Sequence, residues 1–346
     1  MQVPYYYHAL INKTTMNKIV IIPLIGLLFV FSTYSAFAHS YGAISPASIP
    51  AIYLNTKQRP MTIAQPPNTL SQKAKIHLGK QLFEDTNLSK SGEMACSTCH
   101  QASMGFSDGR DFSLDNQGTP LPYNTPSIQY VAFNYYFGWT ARFPHLQEHL
   151  DALMTNPKLM DRNWPELSQK IKQNDIYVQL FNNAGYDEIS RTTISDAIIQ
   201  YEYSLAKPSR YDLYILGDKQ QFSEKENLGY SLFKEFGCSS CHQGKNLGGN
   251  LRQKFGVMKS YFNEHNKIEE RDLGYYTTTL KDEDRFYFRV PSLRNVTNTA
   301  PYFHDGSAKT LAMAIEIMFV YQLGIKPSDT DINLIESFLH TLEPVE

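Results

Sequence analysis

Cysteine is scarce in this chain, with four in 346 residues, and tryptophan scarcer, with two. So few cysteines exclude a small scaffold stapled by many disulfides. Charge of one sign is missing too: 32 basic residues face 34 acidic ones, for a net charge of −2. No basic stripe offers a footprint for nucleic acid. No apolar run reaches the roughly 20 residues of a membrane span; the longest, Ile19 to Phe31, is broken by Pro23 and Gly26. Period-two alternation of apolar and polar residues is absent as well, so the chain reads as mainly α. What it has in excess is aromatic surface, 23 Tyr and 20 Phe, which suits either a ring-rich core or packing against a flat ligand.

All four cysteines fall in two copies of one pattern, Cys96-Ser97-Thr98-Cys99-His100 and Cys238-Ser239-Ser240-Cys241-His242. Cys-x-x-Cys-His is the attachment signal of c-type haem. Each thiol bonds one vinyl group of the porphyrin, and the adjacent histidine sits over the iron. A redox disulfide or a four-thiolate zinc site also uses Cys-x-x-Cys pairs. Neither needs a histidine after both second cysteines, and zinc would have to join pairs 142 positions apart (96 to 238). Two covalently bound haem c groups are therefore expected, with His100 and His242 as axial ligands.

The first 38 residues read as a signal peptide. Lys13 and Lys18 supply positive charge, with Met16 as an alternative start, and Ala36-Phe37-Ala38 has the small-x-small form of a cleavage site. Export fits haem attachment outside the cytoplasm, so the expected location is the periplasm. Residues 39–70 are rich in Pro, Ser, Ala and Thr and read as an arm or linker. Helical patterns follow from Ser71, taken as an N-cap, then over Pro144–Met154, Pro165–Asn182 and Thr193–Ala206, the last broken by Lys207-Pro208. Ser223 caps a helix leading into the second motif. Lys309–Gln322 and Ser328–Leu342 close the chain, with Ile332, Ile335, Phe338, Leu339 and Leu342 as an apolar stripe. The organisation expected is two haem-binding units, 71–216 and 217–346.

From Leu78 to Leu342 the chain resembles the bacterial di-haem cytochrome c peroxidases, the family that includes MauG. The resemblance rests on Leu78-Gly79-Lys80-Gln81-Leu82-Phe83, Gly105-Phe106-Ser107-Asp108-Gly109-Arg110, Asn124-Thr125-Pro126-Ser127, Asn246-Leu247-Gly248-Gly249, Val290-Pro291-Ser292-Leu293-Arg294-Asn295-Val296, Ala300-Pro301-Tyr302-Phe303-His304-Asp305-Gly306 and Tyr321-Gln322-Leu323-Gly324. It implies two cytochrome-c-like haem domains, the first handling peroxide and the second relaying electrons. It implies a calcium ion, for which Asn124, Thr299 and Pro301 occupy the matching positions. An amide oxygen and backbone carbonyls suit such a hard cation. The partners implied are hydrogen peroxide and a small donor, a cytochrome c or a cupredoxin (copper protein), with room for a homodimer. Members of the MauG type instead oxidise residues of a partner protein. A third reading, from outside enzymes, is a di-haem electron-transfer cytochrome.

The sixth iron ligand separates electron transfer from catalysis. Met318 lies fourteen residues after His304 and matches the family's ligating methionine, with Met258 and Met313 as rivals; its helical spacing to Leu311 and Ile315 suits a core position equally well. Many members carry a second ligating histidine soon after the first motif. Here Ser113–Thr119 has none, which implies an open site at the His100 haem. His149, four residues after His145, takes the place of a pocket glutamine. It is the candidate for a ligand or for the acid–base that helps split the O–O bond. Leu159 stands where the family has its catalytic glutamate, which puts peroxidase activity in question. Trp139 matches the tryptophan between the haems, and Arg294 and His304 are candidate partners of haem propionates.

Overall fold

The structure is a computed structural model that describes residues 69–264 and 267–345. The leader, nearly all of the arm, His8, His39 and His265 lie outside them. All described residues belong to one compact unit running from Gln58 to Glu346. Among them no helix is long and apolar enough to cross a membrane.

Among the described residues nine α-helices of six or more residues dominate: α1 Leu70–Glu84, α2 Leu146–Thr155, α3 Trp164–Lys172, α4 Asp175–Asn183, α5 Arg191–Ser204, α6 Arg210–Ile215, α7 Glu224–Glu235, α8 Leu311–Ile317 and α9 Asp329–His340. Among the described residues strand is confined to one antiparallel pair, β1 Arg252–Lys254 and β2 Tyr287–Arg289, with Arg252 opposite Arg289.

Caps explain where the helices start. Ser223 and Ser328 each accept from the N–H three residues on, in capping boxes closed by Glu226 and Asp331. Two expectations are corrected. The first helix is capped by Thr69, whose hydroxyl accepts from Gln72 while Gln72 reaches back; Ser71 lies inside the helix. The segment Pro165–Asn182 is two helices, because the Asn174 side chain accepts from Ile176 and Tyr177 and opens α4 there. The Lys309–Gln322 segment also changes character, from α8 to a π-helical turn over Met318–Leu323.

Buried apolar residues form two main clusters. One draws on Leu78 to Leu205, with Leu82, Phe83, Met154, Ile194 and Ile198 at its centre. The other draws on Phe222 to Leu342, with Phe233, Phe319, Ile335 and Phe338. Each is built on a crossing helix pair, α1 on α5 and α7 on α9. The crossings share a device. Leu78-Gly79-Lys80-Gln81-Leu82-Phe83 in α1 recurs as Leu228-Gly229-Tyr230-Ser231-Leu232-Phe233 in α7. A Cβ on Gly79 would lie 1.9 Å from the Ala197 carbonyl oxygen, and one on Gly229 1.9 Å from that of Leu334. Only a residue with no side chain lets the two backbones approach so closely. A haem motif follows each glycine helix: Cys96–Cys99 forms a helical turn after an intervening loop, and Cys238–Ser240 a 3-10 turn almost at once.

Candidate haem sites

The two motif histidines are held alike. His100 Nδ1 lies 3.1 Å from the Phe106 carbonyl oxygen, and His242 Nδ1 lies 3.2 Å from that of Leu247. A carbonyl only accepts, so Nδ1 carries the proton in both rings and Nε2 is left as the free donor atom for a metal. Both carbonyls belong to non-glycine residues in the left-handed region, Phe106 at φ 60° and Leu247 at φ 46°. Such backbone is held only where surrounding structure enforces it. Here each turn aims one carbonyl at one imidazole. Burial disfavours the imidazolium of both rings. It lowers the His100 pKa and brings that of His242 down to about 4, against the pull of the Leu247 and Pro291 carbonyls. Neutral imidazole is the ligating form.

The four cysteines form no disulfide with one another. Burial, with Glu202 and Cys99 nearby, pushes Cys96 up to about 12. Burial and Asp108 take Cys99 to about 11, and burial takes Cys238 to about 11. Thiols so hard to ionise are poor redox nucleophiles. Among the described residues the four do not converge on one metal-binding cluster, so a shared zinc site is not formed.

The second motif opens onto a largely apolar cavity. Cys238, Cys241, His242, Phe233 and Met318 line it, and so do Trp139, Asn124, Thr299, Pro301, Arg294 and His304. The fold thus brings together most of the residues singled out from sequence. The rival methionines stay out of it: Met258 is 64 % exposed and Met313 43 %. Met318 opens the π-helical turn, the kind of helix defect that recurs at functional sites. It packs on the aromatic cluster of Phe255, Tyr261, Phe262 and Phe288.

Two candidate propionate partners are largely engaged elsewhere. Arg294 donates to both Asp212 carboxylate oxygens at 2.8 and 2.7 Å, to Ser209 Oγ at 3.3 Å and to the Lys245 carbonyl at 2.5 Å, leaving one of its five N–H groups. His304 Nε2 lies 2.8 Å from Asp272 Oδ1. Asn124 is a junction. Its N–H donates to the His304 carbonyl at 2.8 Å, its Nδ2 to Arg110 at 2.7 Å, and its carbonyl accepts Trp139 Nε1 at 2.7 Å. No hydrogen bond among the described residues reaches its side-chain oxygen, the atom a calcium ion would take.

His100 and His149 lie outside that cavity. His149 is on α2, with Phe143 5.2 Å and Phe137 6.4 Å away, ring centre to ring centre. Burial and the nearby charges of His100 and Arg289 lower it to about 4, so it is a neutral base at ordinary pH. His145 is the exposed N-cap of α2, and His77 is exposed on α1. Leu159 packs against the first core cluster.

Two charged residues emerge that the sequence reading passed over. Glu202 is buried on α5 beside Cys96, and burial raises it to about 8. Its signal was its place on the stripe Ile194, Ile198, Glu202, four residues apart. Arg289 is 5 % exposed in a run of apolar residues, Phe288-Arg289-Val290-Pro291, with no acidic neighbour in sequence.

Comparison with known proteins shows the family. Residues 73–220 match the family model of the di-haem cytochrome c peroxidases. The chain is 35 % identical over 312 residues to the cytochrome c551 peroxidase of Nitrosomonas europaea, covering 90 % of both chains. It is 31 % identical to that of Pseudomonas aeruginosa, covering 94 % of this chain and 93 % of the relative. A solved MauG-like protein associated with microbial copper homeostasis superposes with a TM-score of 0.72 at 26 % identity, over 82 % of this chain and 94 % of that one. The chain belongs to the di-haem cytochrome c peroxidase and MauG family. Membership implies haem cofactors and supports oxidoreductase activity of the peroxidase type. The paired histidines, the cysteines before them and the apolar cavity fit such cofactors.

Proposed function

We propose that this chain is a periplasmic di-haem c-type oxidoreductase that reduces hydrogen peroxide with electrons from a small cytochrome c or cupredoxin. Two cytochrome-c-like domains, 71–216 and 217–346, would hold one haem each. Cys96 and Cys99 anchor the first by thioether bonds, Cys238 and Cys241 the second. His100 and His242 would ligate the irons through Nε2, and Met318 would be the second ligand in the C-terminal site. Haem iron supplies the redox chemistry by which hydrogen peroxide, two electrons and two protons become two waters.

The protein's own work is to position and to move protons. The Phe106 and Leu247 carbonyls fix the tautomer of each ligating ring. Trp139, tied by Nε1 to Asn124 and by its carbonyl to the Arg289 N–H, is held rigidly as the bridge between the two sites. His149 takes a proton from peroxide and returns it to the leaving oxygen, the task that Leu159 cannot perform. Asn124, Thr299 and Pro301 offer oxygens to a calcium ion.

The observation that carries this reading is the duplicated device: an imidazole pinned by a left-handed residue's carbonyl directly after a Cys-x-x-Cys pair. The test is to express the chain in a host competent in cytochrome c maturation, weigh the mature protein, and follow peroxide consumption with a reduced donor cytochrome. Mass of two haems and turnover well above free haem support it. Two haems without turnover leave an electron carrier, and no haem removes the reading altogether.

A further inference from the structure

Arg289 is among the residues that line the second cavity, and its guanidinium has no counter-charge among the described residues. Arg289, on β2, is 5 % exposed. Its backbone N–H donates to the Trp139 carbonyl at 2.9 Å, and its Nε to the Gly138 carbonyl at 3.2 Å. Among the described residues its four terminal N–H groups make no hydrogen bond and no carboxylate lies within 4.0 Å. Burial lowers its pKa only to about 10, so it stays a cation at neutral pH. A buried charge left without a partner is strongly unfavourable. Two other basic side chains of the same wall do not share this state: Arg294 is spent on Asp212, and His304 is bonded to Asp272.

We infer that Arg289 binds a propionate carboxylate of the haem held by Cys238, Cys241 and His242. A planar fork with four unused donors matches a carboxylate, which accepts two parallel N–H bonds. The assignment replaces Arg294 in that role and rests on the proposal that the second motif carries haem. Arg289 is a positioning residue. Its backbone N–H holds the Trp139 carbonyl, so one residue would tie the cofactor's edge to the bridge between the sites.

The experiment uses the haem-loaded full-length protein and the variants R289Q and R289K. Haem content is measured first, so a chain without haem at Cys238 is told apart from a failed inference. Resonance Raman spectra then report the propionate bending band, and equilibration with a redox dye at pH 8 reports the reduction potential. Loss of a cation beside the haem favours the ferric form. R289Q is expected to shift the propionate band and to move the dye equilibrium toward oxidised haem about tenfold, which is 59 mV for a one-electron couple. R289K, which keeps the charge, returns most of the potential. An R289Q protein with full haem, an unmoved band and an unmoved potential overturns the inference, including the case where a soluble anion sits on Arg289 instead.

Discussion

Replacing Gly229 by alanine tests how the second site is held. The added Cβ would meet Leu334 O at 1.9 Å and Leu334 C at 2.7 Å, where ordinary contact needs about 3.5 Å. The obstacle is a helix carbonyl and cannot rotate away, so α7 and α9 must part by about 1.5 Å. Overpacking against backbone that cannot yield costs about 2–3 kcal/mol, the upper part of the usual range, while alanine returns about 1 kcal/mol of helix propensity. The net expectation is a loss of about 1–2 kcal/mol. Phe233, on the same helix, lines the cavity, so the C-terminal haem spectrum should change while that of the His100 haem stays put. The assay is guanidinium denaturation followed by circular dichroism and haem absorbance, with exposed Lys225→Ala on the same helix as a control expected to stay within about 0.5 kcal/mol. Gly79→Ala, with Ala197 O at 1.9 Å and Tyr201 Cβ at 2.9 Å, should mirror the result in the first half. A Gly229→Ala protein as stable as its parent would refute the reasoning, because the backbones would then have room that the crossing denies them.

Asp212→Asn strands the Arg294 guanidinium, whose side chain is fully buried; a stability loss of about 3–5 kcal/mol is expected in urea titrations, and a loss below 1 kcal/mol would contradict a buried pair. Glu202 has a folded pKa raised to about 8 from 4.5, so the folded protein holds a proton that the unfolded chain gives up. Stability should therefore fall as pH rises from about 4.5 to 8, by at most about 5 kcal/mol. Glu202→Gln should flatten that slope in denaturant midpoints taken across the range, and an unchanged slope would exonerate the residue. His149→Gln should lower peroxide turnover by about 100-fold to 10,000-fold with both haems retained by mass, whereas unchanged turnover would return the proton-transfer role to some other group.

Local signals in the chain were readable because the chemistry behind them is local. The haem motifs carry their spacing with them, and Ser223 and Ser328 announce their helices through the capping residues three positions later. The break at Asn174 was missed because Pro165–Asn182 keeps its apolar period across it, and a side-chain cap outweighed that period. The gathering of Trp139, Asn124, His304 and Met318 around one cavity follows from contacts far apart in sequence, which periodicity does not report. Arg294 shows the same limit from the other side. Its motif pointed to a ligand, but Asp212, which claims it, lies 82 residues away. Arg289 looked like an ordinary strand arginine until its surroundings proved to hold no acid.

The two glycine helices reach their cysteines over different distances. In the second half only Phe236 and Gly237 separate α7 from Cys238. In the first, residues 85–95 intervene, stitched to the body by Arg162, which donates to the Asn87, Leu88 and Ser89 carbonyls. The short link makes α7 a stiff lever, so any tilt of that helix is delivered to the Cys238 thiol undiminished. The longer link is anchored to Arg162 on the way, so motion of α1 is not passed straight to Cys96. Mechanical noise at one end of the molecule would thus be damped, and at the other transmitted.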